Sequence, residues 1–514
     1  MDEEKVDFTP DQALRIAIRL EADGKIKESE DILRGILDID PNHFNALNRL
    51  GAILTSKKEY YEALYRFDRA LKVKPDSAMV VSNKGMILGE LGHTEESEEE
   101  FRKALEIEPW NHVFWNNLSV TLERLQKYDE ALVAVDKGLS LLEPHETSAT
   151  MLLDKGVILQ RLNRYPQAIA CHTQALEINP DKPEPHYNLA ICKLITGDLL
   201  GGFKEYEWRS KVDAEKENTM VFTIGSGKPR WTGEDISDKS IIIHAEQGLG
   251  DTIQFLRYLP MVIARAKTVY LLVHTPLMAL AQERFGNQVT LINPKDPYPP
   301  HDYVCAIMSL PYAFKTTSGT IPPPWQIPID HLDVNRRSCD INGPSGLKVG
   351  ICWSGNWKQK NDFRRSVAFK DFKELLDVDG VAFFSLQKEI RQEDEAEVSE
   401  CKAIHQLKIG DFGDTAAIMS LLDLVITVDT SVGHLAGTLG VSTWILVPAL
   451  GFNWVWQQTR KDTPWYPSVR LYRQSKQAEW APVLQKIKRD LWKKRMDTEL
   501  SDISSYPMTK NKVA

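Results

Sequence analysis

At 514 residues the chain is too long for one ordinary core and implies two or three domains. With 42% apolar and 26% charged residues it has the make-up of a globular protein, which excludes a wholly disordered chain. The formal charge of −9 gives no support to nucleic-acid binding, which needs a basic face.

The first ten residues, MDEEKVDFTP, are acidic and lack the positive region and apolar stretch of a secretory signal. No run of about 18 apolar residues follows anywhere, so no membrane span is expected. Six cysteines at 171, 192, 305, 339, 352 and 401 are scattered without a C-x-x-C pair. They read as buried free thiols of a cytoplasmic protein.

A repeat dominates the first 210 residues. Pro41, Pro75, Pro109, Pro144 and Pro180 recur at roughly the 34-residue period of helical hairpins. Gly51, Gly85, Ser119, Gly156 and Ala190 fall at one matching point of each period. Ala63, Ser97, Ala131, Ala168 and Gly202 fall at the other. Small side chains there let two antiparallel helices approach, with Phe67, Phe101 and Val135 expected to fill the space between neighbouring hairpins. Each proline ends a second helix because it lacks the N–H and clashes with the preceding turn. This pattern resembles the tetratricopeptide repeat, in five full units and a partial sixth.

Such hairpins stack into a superhelix with a concave groove. Arg49, Asn83, Asn117, Asp154 and Asn188, two places before each small residue, are expected to face it. Asparagine amides there could pair with an extended peptide or protein acceptor, or could simply be solvated.

Residues 211–239 read as a linker rich in charge and turn residues. SIIIHAEQGLGDTIQFLRYLPMVIARAKTVYLLV then gives a buried strand, a Gly-rich turn, a helix and another strand, a βαβ unit of a parallel sheet. A second set runs from LKVGICWSGN through VAFFSLQ to LLDLVITVDTSVGHLAGTLGVSTWILVP. The expected order is a first Rossmann-like domain over 240–340, a second over 341–495, and a flexible tail over 496–514. A closing helix around APVLQKIKRDLWKK is expected to pack back across these domains.

Four segments at strand ends are candidates for a ligand cleft. In Gly248-Leu249-Gly250-Asp251-Thr252, Asp251 either caps a helix in a box with Gln254 or serves as a base in the cleft. Trp353-Ser354-Gly355-Asn356-Trp357, with Lys358, Lys360, Arg364 and Arg365 after it, is a basic loop suited to a diphosphate. Thr427-Val428-Asp429-Thr430-Ser431-Val432-Gly433-His434 ends a strand and opens a helix, a ready anion site to which His434 could add a donor. Ser385-Leu386-Gln387-Lys388 is the weakest of the four, placed where Gln387 could read a base. Trp454, Trp456, Trp465 and Tyr466 could stack on a base or sugar, or be core.

HAEQGLGDTIQFLRY, WSGN, KNDFRRSV, SLQK, DFGDTAA, DLVITVDTSVGHLAGTLG and PWYPSVRLYRQ, in this order behind the repeats, resemble the tetratricopeptide-repeat glycosyltransferases. The catalytic half of that family is related to the heptosyltransferases, and its layout is similar to the O-GlcNAc transferases. The resemblance implies an α plus α/β protein: a repeat superhelix followed by a GT-B fold of two Rossmann-like domains. It implies a nucleotide-diphosphate sugar as co-substrate, no cofactor and no required metal. Carried onto this sequence, it makes Asp251 the general base, puts Arg365 at a phosphate-neutralising position and matches Asp429, Thr430, Gly433 and His434 to the donor block; the strand-end loops add Gly250, Ser354, Lys360 and Gln387 to the expected donor set. Relatives often read N-D-R-x-R-S where this chain has Asn361-Asp362-Phe363-Arg364-Arg365-Ser366, so one cation is lost or moved by a place.

The expectation is therefore a metal-independent glycosyltransferase acting on an acceptor hydroxyl, with the repeats holding the acceptor. Its rivals are a non-catalytic repeat scaffold with a degenerate transferase half, and a nucleotide-sugar epimerase or hydrolase.

Overall fold

The computed structural model describes residues 8–143, 148–215, 227–327, 334–359 and 362–505. Pro144, Lys360, Asn361 and the middle of the expected linker therefore lie outside the described residues. The chain divides into two compact units, Met1–Pro185 and His186–Ala514.

The first unit is built of antiparallel helical hairpins. Pro10–Ala22 pairs with Ile26–Ile39, Phe44–Ser56 with Tyr60–Val73, Ala78–Glu90 with Thr94–Ile107, His112–Arg124 with Tyr128–Ser140, and Ala149–Arg161 with Tyr165–Ile178. Pro41, Pro75, Pro109 and Pro180 each stand two residues past the end of a second helix, where no intrahelical N–H is needed. Within each hairpin one residue takes a left-handed turn: Gly24, Lys58, Gly92, Gln126 and Asn163. Only two of these are glycine, so tight packing of the helices outweighs the local backbone preference at the rest. Phe67 corrects one expectation. Its ring lies over Gly51 of its own hairpin, where a Cβ would come 2.6 Å from Cε1, so it fills the crossing inside a hairpin. Leu47, Leu50, Leu54, Ala63 and Phe67 give the first hairpins a shared apolar core, and Phe101, Phe114, Leu118 and Val135 belong to a second one further along.

The second unit starts earlier than the sequence rhythm suggested. The last hairpin, Pro183–Thr196 with Leu199–Tyr206, continues the repeat spacing, yet it joins the α/β part. Phe203 explains why: its ring meets Phe255, Trp454 and Trp465 edge-on at 6.3, 5.5 and 6.4 Å. An aromatic cluster of this size holds the hairpin more firmly than a surface contact would.

Two parallel sheets follow. Strands β1 Ser240–His244, β2 Thr268–Leu272, β3 Thr290–Leu291 and β4 Tyr303–Ala306 lie in the order β3-β2-β1-β4. The second sheet contains β5 Leu347–Cys352, β6 Val381–Ser385, β7 Ile404–Gln406, β8 Leu424–Val428, β9 Thr443–Val447 and β10 Val469–Arg473. Their order is β10-β9-β8-β5-β6-β7, again parallel throughout. β8 and β9 are buried at every position, as a sheet covered on both faces requires.

The closing helix runs Ala481–Ser505, well past residue 496 where the sequence suggested a loose tail. Val483, Leu484, Ile487 and Leu491 pack into the core of the second sheet with Val349, Ile426 and Phe372, not across the two sheets. Among the described residues no helix is long and apolar enough to cross a membrane.

Candidate functional site

Strand order locates the crevices. In the second sheet the winding reverses between β5 and β8, so the loops leaving these strands diverge and open a cleft at their carboxyl ends. The basic loop follows β5 and the Asp429-Thr430 turn follows β8. In the first sheet the reversal lies between β1 and β4, with Glu246 to Gly248 following β1. All four segments singled out from sequence thus leave the carboxyl ends of strands β1, β5, β6 and β8.

At the crevice of the first sheet the protein's own charged groups pair with one another around a small cavity. Arg209 grips Glu246 with two bonds, Nη2 to Oε1 at 2.6 Å and Nε to Oε2 at 3.0 Å. It also donates to Ser309 Oγ at 2.8 Å and to Glu207 at 3.0 Å. Burial pushes the Glu246 carboxyl up, but the charge of Arg209 outweighs it and holds the group below the usual carboxylate range. Nothing in the sequence flagged this pair, because 37 residues separate its members.

What remains accessible is the start of helix Leu249–Phe255. Its N-cap is Gly248, and Asp251 stands third in the helix with Oδ2 accepting the Gly248 N–H at 3.0 Å. The expected box with Gln254 does not form; the Gln254 amide is fully buried and has no hydrogen-bond partner among the described residues. Burial pushes the Asp251 carboxyl up to about 6, the Gly248 N–H opposes this, and the charges of Asp429 and Glu246 add to it.

Gly250 brings the two sheets' segments together. A Cβ at this position would lie 2.8 Å from Cδ2 and 3.4 Å from Nε2 of His434, so the first turns of helices Leu249–Phe255 and Ser431–Leu439 cross where a side chain could not fit. Thr430 is the N-cap of the second helix and accepts the Val432 N–H at 3.3 Å. His434 is buried, with Nδ1 3.0 Å from the Tyr466 hydroxyl. Burial pulls its pKa down to about 4 despite the nearby Asp429 charge, so the ring is neutral at pH 7 and acts as a dipole, not a cation. Gly433 faces Ile445 and Thr427, and allows the helix to lie close on the sheet.

Arg365 is heavily engaged. Nε bonds Asp362 Oδ1 at 2.9 Å, Nη1 the Asp429 carbonyl at 2.8 Å, and Nη2 Gln359 at 2.6 Å. Asp362 is shared with Arg391, which lies 29 residues on and which no local sequence signal marks. Gln387 is likewise committed: Oε1 accepts the Ser354 N–H at 3.1 Å while Nε2 donates to the Ser354 and Glu389 carbonyls at 3.1 and 3.0 Å. It straps the ends of β5 and β6 together. Ser354 Oγ, by contrast, is buried with no partner among the described residues. Trp456, Trp465 and Tyr466 are fully buried and Trp454 nearly so, which makes this segment core packing around the site.

In the first unit, Asn83 Nδ2 reaches Asn48 Oδ1 at 3.4 Å, and Asp154 Oδ2 accepts from Asn116 at 2.9 Å. Arg49 pairs with Glu21 at 2.7 Å. The half-buried Asn117 side chain makes no hydrogen bond among the described residues. Asn188 belongs to the second unit, apart from the other four positions.

Family comparison covers the repeats. A TPR-repeat model matches residues 156–192, and a tetratricopeptide-repeat model residues 81–109. The chain carries tetratricopeptide repeats. It is 25% identical over 513 residues to Protein FlbA of Caulobacter vibrioides, covering 92% of this chain and 82% of FlbA. It is 25% identical over 163 residues to Protein O-mannosyl-transferase TMTC1 of Homo sapiens, covering 31% of this chain and 18% of that protein. It is 26% identical over 167 residues to the probable UDP-N-acetylglucosamine–peptide N-acetylglucosaminyltransferase SPINDLY of Hordeum vulgare, covering 32% of this chain and 18% of that one. The chain thus spans about a fifth of each of these two transferases.

Proposed function

We propose that the second unit is a GT-B glycosyltransferase that moves a sugar from a nucleotide-diphosphate donor to an acceptor hydroxyl. The observation that carries this reading is the crossing at Gly250, which sets a carboxylate with a raised pKa beside the anion-suited start of helix Ser431–Leu439. The similarity to two repeat-containing proteins named as transferases supports it.

In this mechanism Asp251 accepts the proton of the acceptor hydroxyl as its oxygen bonds to sugar C1. The bond from C1 to the phosphate oxygen breaks, and the nucleoside diphosphate leaves with the electron pair. A base of pKa about 6 is ionised at neutral pH yet basic enough to share a proton in the transition state. The helix start at Thr430 and the basic loop take up the growing charge, so no metal is invoked. The repeats would hold a peptide or protein acceptor. Cytoplasmic location fits both substrates.

A scaffold without turnover is the second reading, and the commitment of Arg365 to Asp362 favours it. Acceptor-dependent release of nucleoside diphosphate from a panel of nucleotide sugars decides between them. Release that needs an acceptor and is lost in Asp251→Asn supports the transferase. Binding without release supports the scaffold, and release with donor alone points to a hydrolase.

A further inference from the structure

Arg364 and Arg365 leave the same short helix, Asp362–Arg365, in opposite chemical states. Arg365 has three protein partners. Arg364, only 8% exposed, makes no ion pair or hydrogen bond among the described residues, and its Nη1 is buried and unpaired. Its guanidinium lies 5.5 Å from the ring centroid of the adjacent Phe363, which neutralises nothing. A guanidinium keeps its charge at any ordinary pH, so a buried one without a counter-charge is costly.

The position of that charge is informative. Gly451, in the loop after β9, has φ +70°, and a Cβ there would lie 3.3 Å from Arg364 Nη1 and 3.4 Å from Cδ. Arg364 therefore bridges from the loop after β5 to the loop after β9, and β8 lies between these strands in the sheet. At the end of β8, the Asp429 carboxylate accepts the Asn453 N–H at 3.2 Å and its carbonyl accepts from Arg365. The next residue caps helix Ser431–Leu439. Of the arginines gathered here, Arg365 is paired with Asp362 and Arg391 with Asp362 and Glu393, so Arg364 is left without a carboxylate partner among the described residues.

We propose that Arg364 is the arginine that binds the diphosphate of the ligand, between Gly451 and the start of helix Ser431–Leu439. Arg365 is a positioning residue that fixes the loop to Asp429. The anion site stands on its own geometry; only the nucleotide attached to the diphosphate rests on the transferase reading.

Inorganic pyrophosphate titrated calorimetrically into the full chain tests this. Wild type binds, Arg364→Gln weakens binding by about ten- to a hundred-fold, and Arg364→Lys recovers part of it. Gly451→Ala, which crowds the guanidinium without removing its charge, also weakens binding. Ligand-free Arg364→Gln melts at or above the wild-type temperature, because it removes an unpaired buried charge. Pyrophosphate bound equally by wild type and Arg364→Gln, or not bound by folded wild type, overturns the assignment. So does a lower melting temperature in ligand-free Arg364→Gln, which would mean that the arginine has a structural partner. Pyrophosphate binding that depends on Arg364 in a protein without sugar transfer leaves this site standing and rejects the transferase. Sugar transfer with pyrophosphate binding indifferent to Arg364 does the reverse.

Discussion

The two units hold charge in contrasting ways. In the repeats, ion pairs recur with the hairpins: Arg34 reaches Glu30 and Glu62, and Arg102, two periods on, reaches Glu98 and Glu130. Glu30 and Glu98 are largely covered, but the two arginines are 37% and 47% exposed to water, so each pair adds little. In the α/β unit a buried pair, Arg209 with Glu246, joins the helix Arg209–Glu215 to the turn after β1. A repeat spreads stability over many equivalent contacts, whereas a site needs a few groups held in one arrangement.

The largest expected effect is catalytic. Asp251→Asn should lower acceptor-dependent turnover by about 10²- to 10⁴-fold in steady-state kinetics. The acid limb near pH 6 should vanish from the residual rate. A mutant with near-wild-type turnover would remove Asp251 from the chemistry. Next comes Glu246→Ala, which leaves the buried Arg209 charge with Glu207 as its one carboxylate partner among the described residues and should cost about 3 kcal/mol in denaturant unfolding of the second unit. Loss of less than about 1 kcal/mol would mean that water replaces the carboxylate.

Gly250→Val follows. Its side chain would meet the His434 ring, and forcing the two helices apart should cost about 1–3 kcal/mol. Chemical denaturation measures it, and an unchanged midpoint would show that the helices separate freely.

Stability against pH gives a subtler effect with two opposing signs. The folded pKa of Asp251, raised to about 6, contributes stability that is lost as pH rises from about 4 to 6. The folded pKa of His434, lowered to about 4, contributes stability that is lost as pH falls below about 6.5. Asp251→Asn should therefore steepen the rise in melting temperature between pH 4 and 6, and His434→Gln should flatten it. Parallel profiles for both variants and wild type would contradict the two shifts. Smallest of all, Arg34→Ala should cost no more than about 1 kcal/mol in the first unit. A larger loss would end the contrast between distributed and concentrated stability.

Periodic features were legible in the sequence. Prolines two residues past helix ends and small residues at crossings recur, so one hairpin predicts the next. The placing of the four segments at strand ends was legible too, because buried strands ending in Gly-rich or hydroxyl-rich turns are local signals. Contacts between distant segments left no such trace. His434 meets Tyr466 after 32 residues, Arg391 meets Asp362 after 29, and neither spacing repeats. Gln254 takes no part in a cap because the N-cap is Gly248, three residues before Asp251. The rank order of Arg364 and Arg365 was hidden as well, since adjacent arginines look alike until one is found paired and the other is not.

The proposed transferase requires a donor site in the cleft at the ends of β5 and β8. Thermal denaturation of the full chain with each common nucleoside diphosphate, without added metal, tests it. One nucleoside diphosphate at a hundred times its dissociation constant should stabilise the second unit by about 2.7 kcal/mol, and Arg364→Gln should cut this to about 0.4–1.4 kcal/mol at the same concentration. No shift with any of them at millimolar concentration, in well-folded protein, would contradict the account and leave the chain a repeat scaffold.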